Sequence, residues 1–158
     1  MIKRVLKKPK EEGGENSEAL ISGLLGTGSR FEGRISFSGA LRIDGVVHGE
    51  ILCKSGWPSK VIITENAEVE ANIVADEVIV SGSLCGNIKA IDRLELRAPG
   101  RIEGLVYSSD FSIEDGALFQ GECIMIRNLA DDEKEAFKLE GFYEIHRQSS
   151  IYEDLRKD

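Results

Sequence analysis

Two histidines (His48 and His146), three cysteines (Cys53, Cys85 and Cys123) and scattered carboxylates are the side chains here that could do acid–base, nucleophilic or metal chemistry. Their spacing assembles no site. His48 has no Cys or Asp arrangement around it of the kind a ligand set or a nucleophile–base pair requires. His146 stands far off in a polar stretch, so both read as solvent-facing. The cysteines form no C-x-x-C pair, and an odd number of them makes no disulfide framework, which fits a reducing cytoplasm. Asp44, Glu114 and Asp115 could act as acidic pairs, but charged outward turns account for them equally well. Gly23-Leu-Leu-Gly-Thr-Gly28 has the look of a phosphate loop. It lacks the Lys-Ser/Thr ending and any following helical pattern, so turn glycines are the better reading. The expectation is no catalytic, metal or cofactor-binding residue and no enzymatic activity.

The elements that would have to position such residues are repeats. Apolar–x–Gly–x–apolar recurs as Phe31-Glu-Gly-Arg-Ile35, Val47-His-Gly-Glu-Ile51, Leu84-Cys-Gly-Asn-Ile88 and Ile102-Glu-Gly-Leu-Val106. Val69-Glu-Ala-Asn-Ile73 has Ala71 in place of the glycine, read as a harmless change, and Phe119-Gln-Gly-Glu-Cys123 ends in a small apolar Cys. Start-to-start spacings are 16, 22, 15, 18 and 17. Between these lies a second pattern: Leu41-Arg-Ile43, Val61-Ile-Ile63, Val78-Ile-Val80, Leu94-Glu-Leu96 and Phe111-Ser-Ile113, spaced by 20, 17, 16 and 17. The long spacing coincides with Lys54-Ser-Gly-Trp-Pro-Ser-Lys60, a loop insertion. Trp57 in that loop could be an exposed contact, although an aromatic folded back on the wall is the favoured reading.

Alternating apolar and polar residues make strands, and a period near 17 is too short for helical solenoid units of about 33 residues or more. It suits three short strands and three turns, one coil of a β-helix. The predicted fold is therefore all-β: a single-domain parallel β-helix of about six short coils over residues 21–126, with flexible tails at 1–20 and 127–158. The apolar positions 1 and 5 of each pattern face inward, and the central glycine lies inward or at a corner where a side chain would crowd the next coil. One coil cannot cover its own apolar face, so stacking supplies the core. Glu32, Arg42, Glu70, Glu95 and Arg97 fall at outward positions, which reconciles 30% charged residues with a thin core. The tail at 127–158 carries 9 acidic and 6 basic side chains, with helical turns suggested around Asp131–Leu139.

A β-helix has two ends, each a ring of unpaired backbone that templates pairing unless capped, and soluble solenoids normally carry polar caps. Here the terminal coils are apolar. The expected self-association residues are Phe31, Ile35 and Phe37 at one end and Leu118, Phe119 and Met125 at the other. The competing reading is that the tails fold over both ends and leave a monomer.

With these motifs in place the sequence resembles the bactofilin family of bacterial polymer-forming cytoskeletal proteins. The resemblance is carried by GSRFEGRISFSGALRIDGVVHGEI at 28–51, VIVSGSLCGNIKAIDRLEL at 78–96 and FSIEDGALFQGECIM at 111–125, and it covers roughly residues 21–126. It implies a right-handed β-helix that polymerises without nucleotide into filaments lacking polarity. It also implies a part in cell shape, in localising cell-wall (peptidoglycan-modifying) enzymes or in placing surface structures. Phe119 matches the aromatic of the family's last coil.

Net charge is −8, and residues 31–126 hold 8 basic against 15 acidic side chains, a field that argues against nucleic acid as a partner. The first ten residues differ, with five cations and no acid. Ile2, Val5 and Leu6 interleave Lys3, Arg4, Lys7 and Lys8, a pattern that can meet an anionic membrane surface. Some bactofilins bind membrane through a short N-terminal peptide, and a solubilising tail is the alternative. No apolar run of about 7 residues follows the cations, as a secretory signal would need, and nothing approaches the ~20 apolar residues of a membrane span. The predicted location is cytoplasmic, peripheral at the inner face of the cytoplasmic membrane. Two other functional readings stand beside the homopolymer. One is a monomeric β-helical adaptor for a cell-wall enzyme. The other is a β-helical acyltransferase, which would need a hexapeptide rhythm and a catalytic histidine that this sequence lacks.

Overall fold

The computed structural model describes residues 21–54, 57–127 and 129–138. Ten strands follow one another: β1 (Ile21–Leu25), β2 (Arg30–Phe37), β3 (Gly39–Ile43), β4 (Val46–Cys53), β5 (Ser59–Ile63), β6 (Glu68–Val80), β7 (Ser83–Leu96), β8 (Arg101–Ser108), β9 (Phe111–Ile113) and β10 (Leu118–Met125). Every pairing among them is parallel. They stack as a β-solenoid of about six turns, as the two interleaved repeats predict.

Each repeat becomes one ladder. The glycine pattern builds the first, β2–β4–β6–β7–β8–β10, and its six members fall in register: Phe31 on Val47, Val69, Leu84, Ile102 and Phe119, and Ile35 on Ile51, Ile73, Ile88, Val106 and Cys123. The second repeat builds β1–β3–β5–β6–β7–β9, stacking Leu25, Ile43, Ile63, Val80, Leu96 and Ile113. β6 and β7 are long because each runs through both ladders. The inward columns fuse into one main core cluster from Phe37 to Val106, with the side chains of the middle coils almost fully buried. The charged residues expected outside, Glu32, Arg42, Glu70, Glu95 and Arg97, are exposed or half-buried, while Leu52 and Val74 form a small second apolar cluster outside the main core.

Gly33, Gly49, Gly86, Gly104 and Gly121 adopt φ between +137° and +144°, which an L-residue rarely takes. A Cβ on Gly104 would fall inside the 3.0 Å that real Cβ atoms do not breach, against the Gly86 carbonyl of the preceding coil. The crowding of an adjacent coil that the sequence reading anticipates is thus present, against the coil before. Ala71 cannot follow suit, and no residue other than glycine has positive φ among the described residues. Pairing of β6 with β7 lapses after Glu70–Cys85 and resumes at Ile73–Ile88. In the gap, the Asn72 side-chain carbonyl accepts the Asn87 N–H at 3.3 Å. The Gly-to-Ala exchange is absorbed because the next side chain replaces the lost backbone acceptor.

After β10 a short helix, α1, spans 131–138. It lies on the side wall and not across the last coil. Lys134 Nζ reaches Asp92 at 3.0 Å, Lys138 Nζ reaches Asp76 at 2.8 Å, and Phe137 packs edge-on against Tyr107 at 5.5 Å between centroids.

Candidate assembly interface

The residues that might have done chemistry are occupied structurally. The Asp44 carboxylate accepts the Thr64 hydroxyl at 2.5 Å and Arg42 Nε at 3.1 Å. Partial burial pushes its pKa up, but the Thr64 hydroxyl and the Arg42 charge outweigh burial and hold it below the usual carboxylate value. Glu114 accepts the Ala98 N–H at 2.8 Å, fastening one turn to the coil before it. His48 lies on the outer wall 3.8 Å from Glu70. The cysteines are free thiols, and burial raises those of Cys53 and Cys123. Gly23 is in β1, and Gly26 and Gly28 lie at the turn into β2, with a strand and not a helix following. Among the described residues no group of His, Cys, Asp and Glu could hold a metal ion.

Among the described residues, no strand lies beyond either terminal coil. β1 pairs only with β3 and β2 only with β4, while β9 pairs only with β7 and β10 only with β8. Among the described residues, these four strands therefore have no strand partner along one edge. The inward columns show what stacking does. In the second ladder Ile43, Ile63 and Val80 are fully buried and Leu96 is 1% exposed, but Ile113 in the final coil is 51% exposed. Among the described residues no strand pairs with β9 on its far side, whereas a strand stacks on both sides of Ile43, Ile63, Val80 and Leu96.

Of the expected self-association residues, the structure brings Leu118, Phe119 and Met125 together in β10, with Leu118 and Met125 exposed and Phe119 half-buried. The Phe119 ring stands edge-on to Phe111, 5.2 Å between centroids and 88° between planes. At the opposite end Phe31 and Ile35 lie half-buried in β2, but Phe37 is closed into the core and offers little to an end contact. Leu24, Ile113 and Ile124 are further exposed apolar residues of the terminal coils, outside the expected self-association set. Leu24 and Ile124 sit at outward positions, in register with Arg42 and Tyr107, where alternation alone predicts polar side chains. Ile2, Lys3, Arg4, Val5, Leu6, Lys7 and Lys8 lie outside the described residues. Trp57 corrects the favoured reading of its loop. The indole is 61% exposed rather than folded flat on the wall, and it lines a groove together with Pro58, Asp76 and residues of α1. Among the described residues, no helix is long and apolar enough to cross a membrane.

Parallel coils stacked about one core, with apolar side chains exposed in the terminal coils, define a β-solenoid. A family model described as "Bactofilin: Polymer-forming cytoskeletal" matches residues 23–124. The chain belongs to the bactofilin family. Its relatives include Bactofilin BacO of Myxococcus xanthus (strain DK1622), 32% identical over 102 residues that make up 65% of this chain and 78% of that protein. Bactofilin BacP of the same organism is 33% identical over 103 residues, 65% of this chain and 41% of that protein. No solved structure matches the chain.

Proposed function

We propose that this protein assembles end to end, without nucleotide, into non-polar homopolymers that scaffold cell shape or the placement of peptidoglycan-modifying enzymes. The observation that carries the reading is the abrupt exposure of inward columns at the terminal coils, above all at Ile113, beside edge strands with unpaired backbone. Another copy docking there would continue both the hydrogen-bond ladders and the core, the two things that stabilise every internal coil. Membership of a polymer-forming family supports the assembly step, and the turn setting of Gly26 and Gly28 favours independence from nucleotide. The absence of filament polarity and the scaffold role rest on the resemblance. Sedimentation of nucleotide-free protein at micromolar concentration tests the assembly, with fast-moving polymers expected. A single sharp monomer boundary would defeat the reading.

The basic N-terminal segment is proposed to attach such a polymer to the inner face of the cytoplasmic membrane. One copy contributes about 1 kcal/mol per cation near an anionic surface, so a single chain holds weakly. Many copies on one filament gain avidity. Deleting residues 1–8 is expected to abolish pelleting with anionic vesicles while polymerisation continues. Undiminished pelleting would place the lipid contact elsewhere.

A further inference from the structure

Trp57, the chain's one tryptophan, is 61% exposed. The residues after it are pinned to the coils on both sides. The Gly39 N–H donates to the Pro58 carbonyl at 3.1 Å, the Ser59 N–H donates to Asp76 Oδ2 at 3.1 Å, and the Asp76 N–H donates to Ser59 Oγ at 2.9 Å. A single exposed aromatic needs no explanation, but this one borders a built hollow.

Two adjoining hollows share Pro58, Asp76 and Asp92 and form one trough on the outer wall. Gly39, Ala40 and Pro58 line the first, of about 310 Å³, and Trp57 and α1 line the second, of about 360 Å³. Volumes at the low end of the ~300–1,000 Å³ of ligand sites suit a side chain or a short peptide. The α1 side is fixed by Lys138, which is 5% exposed and held by Asp76 and Glu135. A site formed in advance spares an incoming segment part of the ordering cost.

The charge of the trough selects its occupant. Among the described residues its lining carries five carboxylates against three lysines. Asp76 is fully engaged, by Lys138 on Oδ1 and Ser59 on Oδ2. Asp92 meets Lys134 through Oδ1 and keeps half of its side chain exposed, Glu77 meets Lys60 only at 3.5 Å, and Asp131 is exposed. The surplus is negative, on a solenoid that is itself acidic, so nucleic acid and anionic lipid are repelled. A cation is attracted, and the face of an indole adds to that attraction. The apolar lining at Ala40 and Pro58 favours a peptide over a bare polyamine. We propose that the trough docks a basic segment of a partner protein, with an arginine or lysine against Trp57 and an aliphatic neighbour against Ala40 and Pro58. This reading stands whether or not copies stack end to end, because the trough lies on the wall of each chain.

The test is fluorescence anisotropy of a labelled peptide of alternating arginine and leucine, titrated with the full-length protein. Saturable binding is expected, with a shift of Trp57 emission and a loss of affinity as salt rises. Trp57→Ala, and separately the charge-neutralising pair Glu77→Gln/Asp131→Asn, are each expected to lower affinity about tenfold while the β melt stays parental. Parental affinity in either variant overturns the proposal, since the peptide then sits elsewhere on the acidic surface. Equal binding of an arginine–glycine peptide overturns it as well, by reducing the effect to bulk charge, and so does no binding at all. Trp57 emission that shifts with protein concentration alone would make the trough a contact between copies and likewise overturn it.

Discussion

Phe119→Arg is expected to yield a folded monomer that forms no filaments. Phe119 ends an inward column whose inner members, Val47, Val69, Leu84 and Ile102, are each buried by a coil on either side. It has a coil on one side only. In the monomer the substitution loses edge-to-face packing on Phe111, worth about 0.5–1.5 kcal/mol beyond area, and the guanidinium can turn into solvent from the last coil. At a joint between copies that escape is closed. A cation left unpaired in an apolar contact costs several kcal/mol, and every ~1.4 kcal/mol is tenfold in association. Assembly should therefore weaken by on the order of a thousandfold or more, while far-ultraviolet circular dichroism keeps its β signature. Filaments of unchanged length from Phe119→Arg protein would move the joint away from this coil.

Gly104→Val is expected to have the opposite profile, destroying the solenoid itself. Residue 104 has φ of +140°, and a Cβ there would drive into the Gly86 backbone, which belongs to a hydrogen-bonded strand and has nowhere to go. Strain in a sparsely populated backbone region costs of order 1–3 kcal/mol before any clash is counted. Adding the clash brings the loss into the range above ~4 kcal/mol, a large part of a domain's stability. Urea titration should show the midpoint collapse, or no folded baseline at all. The matching change at Gly33 should cost less, because only the Phe31 ring, at 3.6 Å, lies near its added Cβ among the described residues. Equal, parental midpoints for both variants would contradict this account of the glycine column.

Ala71 sharpens that prediction. It shows that the column tolerates a methyl group where the ladder can be interrupted and the Asn72 amide can stand in for a lost acceptor. After Gly104 comes Leu105, which has no polar atom to offer, so the same escape is closed there.

The repeat made the fold legible because each coil's inward side chains are fixed by the coil before and after it. Local alternation and global stacking say the same thing over residues 31–125. Legibility failed where a position's environment depends on what lies beyond its own coil. Ile113 and Leu96 occupy the same place in the pattern, yet only the end of the stack exposes Ile113. Leu24 and Ile124 break outward alternation, but so do Ile62 and Ile79 in the column of Leu24 and Leu52 and Val74 in that of Ile124, so alternation does not tell the ends from the middle. The contacts of α1 are illegible for another reason: Lys134 and Asp92 lie 42 residues apart, and nothing in an acidic, mixed-polarity tail announces which carboxylates of the wall it will meet. Trp57 was misread because a loop aromatic usually finds apolar cover, whereas here its neighbours are Asp76, Asp92 and the charged face of α1.

The most direct test of end-to-end stacking is X-ray fibre diffraction from aligned, nucleotide-free filaments. Coils stacked along the filament predict a meridional reflection near ~4.8 Å, the spacing between hydrogen-bonded strands, continuing through the joints between copies. The same reflection on the equator would mean that the solenoids lie across the filament and associate through their walls, contradicting the central claim.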